Sequence, residues 1–68
     1  MDRAERNRER EKAWKFFSDL DTGAKWTIGD HLVLGTFNWK DWGLPGKPSL
    51  AFLSELDRLR MLWEDGQE

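Results

Sequence analysis

The chain has 68 residues, no cysteine and a formal net charge of −2 at pH 7. This length allows one domain, which buries only about 60% of the surface that its unfolded chain exposes. Without cysteine there is neither a disulfide nor a thiolate ligand for zinc. The 11 basic and 13 acidic residues exclude an overall basic field for nucleic acid, although a local basic stripe is compatible with this balance.

Membrane insertion and secretion are not expected from the sequence. No apolar run approaches the ~20 residues of a membrane span. The charged N-terminal residues are not followed by the apolar segment of a signal peptide. We therefore expect no membrane partner and a cytoplasmic location.

Aromatic residues must provide much of the core. Only 38% of the residues are apolar, but five are Trp and four are Phe. Large aromatic side chains bury the most area per position. The residues expected to join the helices are Trp14, Phe17, Leu20, Phe52, Leu56 and Trp63.

A long helix is predicted over residues 2–20. Arg, Glu, Lys and Ala dominate this segment and are strong helix formers. Opposite charges three or four residues apart stabilise it further. The run from Asp21 to Gly23 is expected to end the helix, with Gly23 in the left-handed conformation.

These features predict one small domain with two charged ends. Residues 1–12 are expected to form a charged helical extension that is continuous with the domain. The globular domain spans residues 13–64, and residues 65–68 form a frayed tail.

A second helix is predicted over residues 49–64, with Ser49 as its N-cap. Its apolar residues recur at spacings of four, three and four, at Phe52, Leu56, Leu59 and Trp63. This pattern is typical of an amphipathic helix that faces a core.

Residues 26–37 allow two interpretations. The β-branched content favours a hairpin with Gly29 and Asp30 in its tight turn. Alternatively, Thr27 caps a short helix that ends at Gly35. The predicted fold is thus α+β or mostly α, with a long N-terminal helix, a short central hairpin or helical turns, and an amphipathic C-terminal helix. A capped turn is expected at residues 38–41, with Trp42 at its end.

Few residues of the chain suit catalysis or metal binding. The chain has one histidine, His31, and no cysteine, and the Ser and Thr residues of its centre have no paired base in the sequence. A calcium-loop register starting at Asp19 places Ala24 where the sharp turn needs glycine. The loop 43–48 lacks the Gly-Lys-Ser/Thr ending of a phosphate-binding loop. The sequence therefore predicts a protein that is not an enzyme and has no cofactor and no metal.

The first helix carries a stripe of arginines. At about 100° per residue, Arg3, Arg6 and Arg10 fall on the side that is apolar in the second half of the helix. In one interpretation these arginines are merely solvated. In the other they bind a partner, because guanidinium groups pair with carboxylates and with phosphates.

The segment Trp39-Lys40-Asp41-Trp42 also has two interpretations. Its Trp side chains either fill the gap between the helices or provide an exposed interface anchor. Beside Lys40, an exposed Trp would also suit stacking on a nucleic-acid base. On the C-terminal helix, Leu50 and Met61 lie opposite the apolar face and would suit a homodimer contact or a cover for the middle segment.

The sequence predicts a small, non-catalytic protein-binding module. We expect an adaptor or inhibitor of the phage-encoded kind, which docks on a larger host protein or complex. The expected contact residues are Arg3, Arg6, Arg10, Trp39, Lys40 and Trp42.

The alternative is a small DNA-binding transcriptional regulator that uses the arginine-bearing helix. Helices over 27–34 and 38–43 would favour it, whereas a hairpin over 26–37 would not. The similarity of this region to the opening of MerR-type winged-helix regulators covers few residues. Its spacing is too short for their second helix, so no family is assigned from the sequence.

Overall fold

A computed structural model describes residues 2–67 of the chain. This part of the chain holds three α-helices and no strand: α1 (Arg3–Ser18), α2 (Thr22–Leu34) and α3 (Leu50–Asp65). A single 3₁₀ turn, Trp39–Trp42, lies between α2 and α3. The mostly helical form of the predicted fold is therefore confirmed. None of the helices described is both long and apolar enough to cross a membrane.

The two predicted terminal helices are present with nearly the expected bounds. Ser49 caps α3, because its hydroxyl accepts a hydrogen bond from the backbone N–H of Phe52 at 3.1 Å. Residues 3–12 are continuous with the rest of α1. The division into extension, domain and tail stays a prediction, and its terminal members Met1 and Glu68 lie outside the described residues.

The prediction that residues 21–23 end the first helix is wrong. The side chain of Asp21 accepts from the backbone N–H of Ala24 at 2.8 Å and so begins α2. Gly23 is the second residue of α2 and is not left-handed. An aspartate at this position satisfies one of the free N–H groups of a helix start, which is why it begins a helix here.

The hairpin over residues 26–37 is also wrong, because most of this segment belongs to α2. Helical spacing turns Ile28 and Leu32, one turn apart, towards the core. The alternative helix was right about its end, since Gly35 has φ +73° and caps α2. It was wrong about its start, because Thr27 lies within α2 and donates its hydroxyl hydrogen to the carbonyl of Gly23.

The predicted turn after α2 is confirmed. Asn38 caps the 3₁₀ turn by accepting a hydrogen bond from the backbone N–H of Lys40 at 3.2 Å. Gly43, at φ +72°, ends it. The chain then runs through the loop 43–48 to the start of α3.

The core is formed by all three helices, and its buried members are Ala13, Phe17, Ile28, Phe52 and Leu56. The rings of Phe16 and Phe52 lie 5.9 Å apart, and those of Phe17 and Trp63 lie 6.3 Å apart. Three of the expected core residues are thus buried, while Leu20 and Trp63 are partly buried against them. Trp14 is the exception, because 45% of its surface is exposed.

The contacts between α1 and α3 show that the two helices run in the same general direction. Arg6, early in α1, lies beside Leu50 at the start of α3. Phe17, late in α1, packs on Trp63 near the end of α3. The intervening chain must return across the core, and α2 makes part of that return. One consequence is that the first halves of α1 and α3 face each other.

At Gly29, α2 packs closely against side chains of α3. A Cβ atom at this position would lie 2.9 Å from Cδ of Arg60 and 2.9 Å from a carboxylate oxygen of Glu64. The Arg60 side chain is held there by hydrogen bonds to Asp57 and to Glu64, at 2.9 and 2.8 Å. Any larger residue must displace this ion-paired group.

We expect Gly29→Ala to lower the melting temperature, although alanine normally stabilises a helix by ~1 kcal/mol relative to glycine. Displacing the ion-paired Arg60 should cost more free energy than this helix propensity contributes, so the net effect is a loss of stability. The matched control is Gly23→Ala in the same helix, because its Cβ would meet only Asp21 Oδ1 at an ordinary 3.6 Å. Thermal unfolding should show the control stabilised by ~0.5–1 kcal/mol. Equal stabilisation of both variants would contradict the close approach.

Candidate functional site

A cationic groove lies between the first halves of α1 and α3. We call it the arginine groove; it has a volume of about 620 Å³. Its lining residues are Arg6, Arg10, Leu50, Ala51, Ser54, Glu55 and Arg58. Arginines from two helices meet here because α1 and α3 run side by side in the same direction.

Glu55 is a buried carboxylate at the edge of this groove, with only 6% of its surface exposed. It accepts hydrogen bonds from Nε and Nη2 of Arg58, at 2.7 and 2.5 Å, and one from the indole Nε1 of Trp14. The hydrogen bonds from Arg58 are the main reason that the pKa of Glu55 falls to about 2. The Trp14 hydrogen bond and the charge of Arg10 lower it further, whereas burial acts in the opposite direction. Glu55 is therefore ionised at neutral pH, and its two oxygens together accept three hydrogen bonds.

Arg6 and Arg10 remain available to bind a ligand, because the carboxylate of Glu55 is paired with Arg58. Three guanidinium groups against one carboxylate give the groove a net charge of +2. Among the ion pairs of residues 2–67, none involves Arg6 or Arg10. The groove can thus bind an added anion without breaking an existing ion pair.

The arginine stripe predicted from the sequence is divided in the structure. Arg6 and Arg10 line the arginine groove, whereas Arg3 is exposed nearer the helix start and does not line it. Trp14 follows on the same side, and a second depression beside it also includes Arg10 and Glu55. Arg6 and Arg10 therefore lie along α3 rather than projecting alone.

The other three predicted contact residues lie on the 3₁₀ turn and do not line the arginine groove. Trp42 is half-buried and packs edge-to-face on Phe16, with ring centroids 6.4 Å apart. Trp39 is also half-buried, and Nζ of exposed Lys40 lies 5.7 Å from the centre of its ring. Trp42 therefore supports the core, and partner binding by this turn stays a prediction.

Sequence reasoning missed Arg58, Glu55 and the polar role of Trp14. A glutamate three residues before an arginine in a helix is typical of an ion pair, so the Glu55–Arg58 pair could have been found. The hydrogen bond from Trp14 could not, because the two residues are 41 positions apart in the chain. Burial of Glu55 likewise depends on the packing of α1 against α3.

Two apolar residues of α3 that were predicted to lie opposite its core face are exposed. Leu50 is 79% exposed and Met61 is 53% exposed. Leu50 adds an apolar wall to the arginine groove. A homodimer contact through these residues stays a prediction.

Comparison with known proteins gives no relative from which a role can be transferred. No protein family, curated protein or solved structure shows significant similarity to the chain. Function must therefore be inferred from the residues of the protein itself.

Proposed function

We propose that the protein is a non-catalytic binding module that docks on a larger protein through the arginine groove, as an adaptor or an inhibitor. One observation carries the proposal: Arg6 and Arg10 border a groove whose carboxylate, Glu55, is already paired with Arg58. A carboxylate of a partner can bind these two arginines without competing with Glu55.

The walls of the groove indicate which partner residues fit. Arg6 and Arg10 suit an Asp or Glu side chain, since guanidinium groups bind carboxylates in a bidentate manner. Leu50 offers exposed apolar surface beside them. The partner segment is expected to present an acidic residue next to an apolar one. Arginine is also enriched at protein interfaces.

Replacing both available arginines should abolish capture of the partner. Immobilised wild-type protein is expected to retain a larger protein from cell extract, which mass spectrometry identifies. The double variant Arg6→Gln/Arg10→Gln should weaken that complex at least tenfold, because hydrogen bonds between charged groups contribute ~1.5–3 kcal/mol. Glutamine is chosen because a glutamate here would repel Glu55. The melting temperature should be almost unchanged.

Arg8→Gln is the control for this experiment. Arg8 lies on the opposite side of α1, at about 200° from Arg10, and does not line the arginine groove. It should leave the dissociation constant within about twofold of wild type, as expected for an exposed charge outside the contact. Equal losses in both variants would mean that only the overall charge matters, and the groove would then not be the docking site.

A DNA-binding regulator is the second candidate function. One observation favours it: residues 27–34 are helical and the 3₁₀ turn Trp39–Trp42 follows, so the hairpin that argued against it is absent. Guanidinium groups also bind phosphates. Titration with random duplex DNA at low and moderate salt tests this candidate, because phosphate contacts weaken steeply as salt rises. Absence of salt-dependent binding at micromolar protein excludes the regulator.

A further inference from the structure

A second cationic groove lies on the other side of α1, where the loop 43–48 passes the helix. We call it the loop groove; its volume is about 690 Å³. Its lining residues are Glu9, Lys12, Lys15, Leu44, Pro45, Gly46, Lys47, Pro48 and Phe52. No residue of the arginine groove is among them, so the two grooves are separate surfaces.

The loop groove combines an apolar floor with a lysine rim. Leu44, Pro48 and Phe52 are half-buried or buried and form the floor. Three lysines against one glutamate give it a net charge of +2. Glu9 pairs with only one of those lysines, Lys12, at 3.1 Å. Lys15 and Lys47 take part in none of the ion pairs found among residues 2–67.

Two prolines and one backbone hydrogen bond restrict the loop that forms this groove. The rings of Pro45 and Pro48 fix the backbone φ angles on both sides of Gly46. The N–H of Leu44 donates to the carbonyl of Trp39 at 3.3 Å and fastens the loop to the 3₁₀ turn. A preformed surface loses little conformational entropy on binding.

These features favour a protein ligand over nucleic acid. Proline has no backbone N–H, so Pro45 and Pro48 remove donors of the kind that bind phosphates. An acidic peptide can place discrete carboxylates against the lysines and an apolar side chain against the floor of Leu44, Pro48 and Phe52, which a phosphate backbone does not offer.

We propose that the loop groove is a second docking site, in which Lys15 and Lys47 bind carboxylates of a partner segment whose apolar side chain rests on Pro48 and Phe52. The proposal rests on the proposed function, because it assigns this segment to the same larger protein. Two grooves flanking one helix then give a two-point attachment, whose combined affinity exceeds that of either groove.

The test is an NMR titration of the full chain with a synthetic peptide in which one Leu is flanked on both sides by Glu. The backbone amide of Gly46 reports on the loop groove, and the indole N–H of Trp14 reports on the arginine groove. We expect the Gly46 signal to shift. Lys15→Gln/Lys47→Gln should weaken this binding about fivefold or more and leave the Trp14 response unchanged. Arg3→Gln, an exposed residue that lines neither groove, should change neither response.

The two signals separate the two proposals. A shift at Trp14 without one at Gly46 overturns the loop site and leaves the arginine groove intact, while the reverse result supports the loop site alone. A Gly46 shift that persists undiminished in Lys15→Gln/Lys47→Gln also overturns the loop site. A Gly46 shift that appears with duplex DNA but not with the peptide likewise overturns the loop site. Gly46 shifts that depend only on protein concentration would assign the groove to a second copy of the chain.

Discussion

Leu56→Ala is expected to lower the free energy of unfolding by about 2–5 kcal/mol, the range for truncating a buried leucine. Leu56 lies at the centre of the core, with none of its surface exposed, and packs among Phe17, Ile28 and Phe52. A core of this size stabilises a domain by only ~3–5 kcal/mol. The variant should therefore be largely unfolded at 25 °C. Urea unfolding followed by circular dichroism and Trp fluorescence measures the loss.

Leu50→Ala is the matched control on the same helix. Leu50 is 79% exposed, and leucine and alanine have similar helix propensities. The change in stability should stay within about 0.5 kcal/mol, as for other surface substitutions. If both variants lost the same stability, the assignment of the α3 core face would be wrong.

Glu55→Gln is expected to destabilise the protein at neutral pH by about 2 kcal/mol and to remove part of its acid sensitivity. The folded-state pKa of Glu55 lies at about 2, below its usual 4.5. A full shift of this size corresponds to roughly 3 kcal/mol. We reduce that figure because Arg58, its partner, is 55% exposed and is screened by water.

The pH at which this stability disappears follows from the direction of the shift. Because the folded-state pKa is depressed, the contribution is fully present above about pH 4.5 and is lost as pH falls towards about 2. Urea unfolding between pH 7 and pH 2 should show this loss in wild type and in Asp30→Asn, a control at an exposed carboxylate. The slope should be weaker in Glu55→Gln. Parallel pH profiles for all three proteins would contradict the role of the Glu55–Arg58 pair.

Local sequence signals located α1 and α3 but neither α2 nor every helix boundary. Ser49 and the spacing of Phe52 and Leu56 identified α3, because capping and amphipathic periodicity are properties of neighbouring residues. Asp21 was misread because the same residue type is compatible with the end of one helix and the start of the next. β-Branched residues misdirected the interpretation of α2, where packing of Ile28 in the core outweighs intrinsic propensity.

The candidate site was partly predictable, because helical periodicity is a property of neighbouring residues. Helical periodicity placed Arg6 and Arg10 on one face of α1. It could not place Arg58 opposite them, because that requires α1 and α3 to run side by side in the same direction. The loop groove was not predicted at all, since Lys15 and Lys47 come together only when the loop 43–48 packs against α1.

By itself, the sequence determined the size of the protein, its two long helices and the concentration of arginine on one helical face, all of which depend on composition and local spacing. The tertiary structure alone decided that α2 is helical over Thr22–Leu34 and that Glu55 is buried. It also decided that the cationic side chains are gathered into two grooves. Those outcomes depend on contacts between residues that are distant in the sequence. Such contacts stabilise the fold by more than the intrinsic conformational preference of one segment opposes it, and the pattern of a single segment does not reveal them.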